Sequence, residues 1–161
     1  MRGRGDSPWL EPATVEVVRW IARSHQQAFG SPLLAGINAE TQPRLIAQEV
    51  FAADRVVLAH DGGTDPQLIY ANAQALRLWR RTWDEMIGLP SRLTAEPTER
   101  QERSAALERA RRQDALRGYE GIRVDSAGGR FRIAGARLWT LRDGEGTVRG
   151  QAATFSDWWR L

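Results

Sequence analysis

The chain has 161 residues, 42% of them hydrophobic, which suits one globular domain and excludes wholesale disorder. It has no cysteine, and all 23 basic residues are arginine, so disulfides, thiolate metal sites, cysteine nucleophiles and Schiff-base or P-loop lysines are all excluded. Net charge is only +3, with acids interleaved among the arginines (Glu99 with Arg103, Glu108 with Arg112), so no uncompensated basic face points to nucleic acid.

No apolar run approaches the roughly 20 residues that span a bilayer, and no apolar core follows the charged N-terminus as in a secretory signal. A cytoplasmic protein with no membrane partner is expected. Residues 1–13, rich in Gly and Pro and without periodicity, read as a flexible tail. Arg4-Gly5-Asp6 within it matches a cell-adhesion tripeptide, which without an export signal reads as coincidence.

Residues 14–54 read as a helical extension. Thr14 can cap a helix that runs to Phe29, with Val18, Ile21, Ala22, His25, Ala28 and Phe29 on one face and Gly30-Ser31-Pro32 as its stop. His25 reads as a packed histidine. A second short helix follows Thr41 and Pro43 and carries Leu45, Ile46, Val50 and Phe51.

From residue 55 to 161 the pattern changes. Arg55 to His60 is a strand closed by the turn Asp61-Gly62-Gly63, and Gln67 to Ala71 is the next strand. Asn72 breaks it into a helix over Ala73–Arg80. Thr82-Trp83-Asp84-Glu85 is a capping box, stopped by Gly88 and Pro90. Pro97 opens a longer helix to Gln113, with Arg109, Arg111, Arg112 and Arg117 at the end where the dipole favours cations. Tyr119 to Asp125, Arg130 to Arg142 and Thr147 to Phe155 are strands joined by hairpin turns at 126–129 and 143–146. Phe131, Ile133, Trp139 and Leu141 share one parity, with Gly135 a candidate bulge. The order β-β-α-α-α-β-β-β implies an α+β fold: a five-stranded antiparallel sheet with helices on one face, plus the N-terminal helical extension.

That order, with Tyr70-Ala71-Asn72, Ala75-Leu76 and Glu85…Gly88…Pro90, resembles PAS domains. A longer set is similar to the MEKHLA domain, a PAS-like family, over about residues 18–159. It comprises His60-Asp61, Tyr70-Ala-Asn72, Trp83, Leu89-Pro-Ser-Arg92, Ala95-Glu-Pro97, Glu102-Arg103, Tyr119-x-Gly-x-Arg123, Arg130-Phe131, Trp139 and Gly150-Gln-Ala152…Phe155. Having neither homeodomain nor heptads, the chain resembles the stand-alone bacterial members. The resemblance implies a sheet curved around a pocket, lined by candidates His60, Tyr70, Asn72, Trp79, Trp83, Ser91, Arg92, Glu96, Arg103, Tyr119, Arg123, Trp139 and Gln151.

Three functions are open. One is a sensory module for a small organic ligand of unknown identity, signalling through a partner. The second is a homodimerisation module that pairs through the N-terminal helix or a sheet face, with Trp9, Trp20, Trp158 and Trp159 as interface candidates. The third is a small enzyme of cone-shaped α+β type, for which His60 with Asp61, or Glu96, is the only candidate for acid–base work. No catalytic constellation stands out. Ser91-Arg92 and Glu96 with Arg103 read either as an anion clamp or as an internal Arg–Glu network. Among cofactors, a cysteinyl-flavin adduct and a thioester-linked chromophore are excluded by the missing cysteine, and a non-covalent flavin or a small organic acid stays open. Haem has no histidine between residues 73 and 116, and no metal cluster is visible.

Overall fold

The computed structural model describes residues 7–161; the Arg-Gly-Asp tripeptide and the first part of the expected tail lie outside them. The tail ends sooner than the sequence suggested. Pro8–Leu10 forms a 3-10 turn that places Trp9 flat against Phe51, with ring centroids 3.9 Å apart, and helix α1 (Pro12–Phe29) starts at Pro12 without a side-chain cap. Proline at a first helical turn forfeits no hydrogen bond, which explains why Thr14 is not the cap. Helix α2 is Pro43–Ala52.

Strands β1 (Val56–Asp61), β2 (Leu68–Ala71), β3 (Ala115–Val124), β4 (Arg130–Arg142), β5 (Val148–Phe155) and β6 (Asp157–Arg160) form one antiparallel sheet in the order β2-β1-β5-β4-β3. The short β6 is additional to the expected five strands. It continues the lane of β5 along the first part of β4, pairing Phe131–Ala134. Helices α3 (Ala73–Trp79), α4 (Trp83–Met86) and α5 (Arg100–Gln113) follow β2. Pro97 opens a separate 3-10 turn (Pro97–Glu99) ahead of α5.

Gly135 is a bulge on β4, at φ +64°, and it changes which core the strand feeds. Between the pairs Tyr119–Ala136 and Gly121–Ile133, one residue of β3 (Glu120) lies opposite two of β4 (Ala134 and Gly135). The extra residue reverses side-chain alternation. Phe131 and Ile133 therefore enter the core under α3 and α5, whereas Trp139 and Leu141 enter the core on the opposite face. The single parity expected for all four does not hold.

The opposite face is covered by α1 and α2, so the extension is part of the core. Trp139, Ala152, Ala59 and Tyr70 lie in one row across β4, β5, β1 and β2. The two alanines between the two rings leave room for the helices to descend, and Val18, Ile21, Ile46 and Val50 complete this outer core. His25 is packed there. Its Nδ1 faces the Ser31 carbonyl at 3.0 Å and its Nε2 faces Arg137 at 3.1 Å, so a neutral ring donates at the first and accepts at the second.

The two hairpins use one device. Asp125 Oδ1 accepts from the amides of Ala127 and Gly129, and Asp143 Oδ1 from those of Glu145 and Thr147. Each remaining oxygen takes an arginine, Arg160 at 2.9 Å and Arg149 at 2.8 Å.

The segments are tied together by Asn72, which is fully buried. Its Oδ1 accepts from the amides of Val57 (3.0 Å) and Ala75 (3.1 Å), and its Nδ2 donates to the carbonyls of Val50 (3.0 Å) and Arg55 (2.7 Å). Asn72→Ala strands two amides and two carbonyls. It is expected to lower unfolding free energy by about 3 kcal/mol or more, read from urea denaturation, and a loss near zero would show that water replaces the carboxamide.

Candidate functional site

The inner face of β1, β3, β4 and β5, with α3 and α5 across it, encloses a cavity of about 40 Å³. Strand alternation sends Leu58 and His60 from β1, and Gln151, Ala153 and Phe155 from β5, toward it. Gly150 sets this spacing. A Cβ there would sit 1.9 Å from the His60 carbonyl, so only glycine lets β5 come close enough to β1 to pair Gln151 with His60.

Tyr119 and Arg123 reach the cavity from β3. Between them, Gly121 has no side chain to occupy the space above the strand. A Cβ would lie 2.7 Å from the Tyr119 hydroxyl and 2.9 Å from Arg123 Nη1. The tyrosine and the guanidinium therefore fold over the glycine and meet, with Arg123 Nη2 donating to the Tyr119 hydroxyl at 3.1 Å. That hydroxyl donates in turn to Glu102 at 2.9 Å. This is the physical content of the Tyr119-x-Gly-x-Arg123 pattern.

Arg103 comes from α5 and donates to Ser91 Oγ at 2.9 Å. Neither Arg103 nor Arg123 forms an ion pair with a carboxylate among the described residues. Burial, with the nearby Arg123 charge, lowers the Arg103 guanidinium to about 10, so it remains cationic at neutral pH. Burial likewise raises the Tyr119 hydroxyl above its ordinary value.

His60 is 6% exposed. Its Nδ1 lies 2.8 Å from the Asp61 carbonyl and must carry the proton to bond it, which leaves Nε2 as a bare lone pair. That Nε2 is buried without a partner. Burial dominates in lowering the imidazole to about 4, with the Arg103 charge adding to it, so the ring is neutral at pH 7. The Asp61 carboxylate instead accepts from the Gly63 and Gln67 amides, so the side chains of His60 and Asp61 do not form an acid–base pair.

Of the sequence candidates, His60, Trp79, Arg103, Tyr119, Arg123 and Gln151 meet at the cavity, with Ser91 behind Arg103. The others lie elsewhere. Tyr70, Trp83 and Trp139 belong to the outer core: β2 and the bulged β4 turn Tyr70 and Trp139 that way, and Trp83 on α4 packs edge-on against Tyr70. Asn72 is spent on four backbone partners. Arg92 pairs with Asp65 and Glu96 with Arg130, both at the surface, so the expected network joining Glu96 to Arg92 or Arg103 does not form. Sequence reasoning missed Leu58, Thr94, Leu107, Ile133 and Ala136 as lining residues. Two of them had a signal: Leu58 shares the parity of His60, and Leu107 lies one helical turn beyond Arg103.

The MEKHLA domain matches residues 15–160 of this chain. The chain belongs to the MEKHLA domain family. No curated protein matches it in sequence. In structure, this MEKHLA domain is similar to the PAS domain of a protein from Colwellia psychrerythraea, with TM-score 0.62 and 13% identity over 73% of this chain and 95% of the other. It is also similar to a protein described as an RNA-binding light-oxygen-voltage receptor (TM-score 0.62, 20% identity), over 81% of this chain and 36% of that one. A third similar structure is a light-oxygen-voltage domain studied with a flavin analogue (TM-score 0.57, 17% identity), over 77% and 88% of the two chains. Together these establish the PAS-like fold. No helix among the described residues is long and apolar enough to cross a membrane.

The two buried histidines set a pH dependence. His60 and His25 are both lowered, chiefly by burial, from 6.5 to about 4 in the folded chain. The unfolded state therefore binds more protons between pH 6.5 and 4, and stability must fall as pH drops through that window. The expected loss is up to about 3 kcal/mol for His60, with His25 adding in the same direction. Urea midpoints from pH 7 to 4 measure it, and His60→Asn should flatten the slope; an unchanged slope would assign the effect elsewhere.

Proposed function

We propose that this MEKHLA protein is a cytoplasmic sensory module that binds a small polar molecule in the inner cavity and passes the binding event to a partner. One observation carries the reading. The cavity holds a buried acceptor, His60 Nε2, without a donor, beside two guanidiniums without a carboxylate. Most buried polar groups in folded proteins are satisfied, and the other unpartnered side-chain atoms among the described residues, Tyr70 Oη, Arg81 Nε and Trp139 Nε1, do not line the cavity, so an unmet set gathered in one enclosure is what a binding site presents to its ligand.

Large cofactors do not fit. Trp79, packed edge-on against Phe131 and Phe155, fills the floor, and Tyr119 and Arg123 fill one wall. A cavity of about 40 Å³ is far below the hundreds of Å³ that a ring system of flavin or haem size requires. With no cysteine in the sequence, an adduct or thioester link to a chromophore has no anchor.

A second reading, association through a protein surface, is favoured by the side chains of Trp159 and Val148, 47% and 52% exposed. Its surfaces differ from those expected. The outer sheet face is occupied by α1 and α2. Trp9 is stacked on Phe51, Trp20 donates to Glu16, and Trp158 packs edge-on against Phe131. This leaves Trp159 as the candidate contact.

Native mass spectrometry of the purified full chain tests the first reading. A bound small molecule is expected, and it should be lost in Ala153→Leu, which fills the cavity without removing any of its polar groups. Retention of the molecule by that variant would place it outside the cavity.

A further inference from the structure

The chemistry of the cavity narrows the ligand further, on the basis of the reading above. Three requirements are built into its walls. The first is charge. Arg103 and Arg123 bring two guanidiniums into one enclosure, and their own partners are neutral: the Ser91 hydroxyl, the Tyr119 hydroxyl and the Ile122 carbonyl. Arg123 is itself only 6% exposed. Cations buried together in this way call for an anion, and a planar guanidinium grips oxyanions best. Glu102 lies one step behind, engaged with the Tyr119 hydroxyl rather than with either arginine.

The second requirement is a proton. His60 Nδ1–H is committed to the Asp61 carbonyl, so the ring offers the cavity only an acceptor. A simple anion such as chloride or acetate would answer the guanidiniums and leave this lone pair unserved. The third is size. A cavity of about 40 Å³ holds about three water-sized positions, room for an acid of roughly five non-hydrogen atoms.

We propose that the inner cavity binds a small oxyanion that retains a hydroxyl proton, of the short 2-hydroxycarboxylate type, with its carboxylate on Arg103 and Arg123 and its hydroxyl donating to His60 Nε2. Glycolate has this chemistry, and bicarbonate is its smallest counterpart. Ser91 acts as a positioning residue that fixes the Arg103 fork.

The test is a calorimetric and thermal-shift titration of the full chain at constant ionic strength with sodium glycolate, bicarbonate, acetate, chloride and neutral glycolamide. A ¹⁵N spectrum of the histidine side chains is recorded alongside. Glycolate or bicarbonate should bind saturably and shift the His60 Nε2 resonance. Acetate, which lacks the donor, should bind about tenfold more weakly and leave that resonance in place. Arg123→Gln should abolish binding. Ser91→Ala, which keeps both charges, should weaken it several-fold with the fold intact, so the proposal stays testable if the arginine variant does not fold. Acetate binding as tightly as glycolate, or glycolamide binding equally well, would overturn the proposal while leaving a small-molecule sensor standing. If nothing in the panel binds but native mass spectrometry finds another bound mass, the oxyanion class is wrong and the sensor reading survives. If nothing binds and no mass is found, both fall.

Discussion

The carboxamide of Asn72 is the joint on which this fold depends. A carboxamide offers two donors and two acceptor lone pairs on a short stem, and here each is spent on backbone from a different part of the chain. The Val50 carbonyl belongs to α2, Arg55 to the link before β1, Val57 to β1 and Ala75 to α3. The side chain thereby fixes the helical extension, the first strands and the inner helices in one mutual register. A network of this kind is satisfied completely or not at all, because any shift of one segment leaves buried backbone groups unpaired. No apolar residue and no acid could replace it. An acid would set a carboxylate against two carbonyls.

The sheet separates two interiors of different character. The outer one is aromatic, with charge only at its margin, where Arg137 meets His25 and Arg117 and Arg137 lie over the Phe29 ring. Its unpartnered polar atoms, Tyr70 Oη and Trp139 Nε1, are neutral groups, and burial keeps the Tyr70 hydroxyl protonated. The inner one contains two guanidiniums and an imidazole held neutral. A neutral orphan in an apolar core is a modest burden, whereas unpaired cations are a severe one. The asymmetry gives the two faces different roles: the outer face supplies cohesion and the inner face retains unmet chemistry. The bulge at Gly135 lets one strand serve both, since odd-numbered positions face the inner core before it (Phe131, Ile133) and the outer core after it (Trp139, Leu141), while Ala136 and Leu138 keep the inner face.

Much of the architecture was legible in the sequence because its signals are local. The capping box at Thr82–Glu85 forms as written. The two glycine-bearing turns close their hairpins, and the element order implied the PAS-like sheet. What could not be read depends on contacts between distant segments. Nothing in residues 14–54 states that their apolar faces seat on Ala59 and Ala152 rather than stand apart. Parity along Phe131–Leu141 was readable, but the effect of one inserted residue depends on pairing with β3 and β6. Residue type together with the family resemblance suggested His60, Tyr119, Arg123 and Gln151, which line the inner cavity. Arg92 and Glu96 were misassigned because surface partners such as Asp65 and Arg130 lie 27 and 34 positions away. Charge alone does not say which arginine is buried.

The seating of α1 on the outer face also imposes an order in time. The helix occupies residues 12–29, but its bed is completed by Trp139 and Ala152, more than a hundred positions later. A chain emerging N-terminus first must carry an amphipathic helix with its apolar face unmatched until β4 and β5 exist. Contacts of such long sequence separation form late and slowly, because loop closure precedes any gain from packing. A helix made before the strands that seat it is therefore among the last segments to find its place. Until it does, the row from Tyr70 to Trp139 stays open, and newly made chains are most exposed to association with one another at that stage.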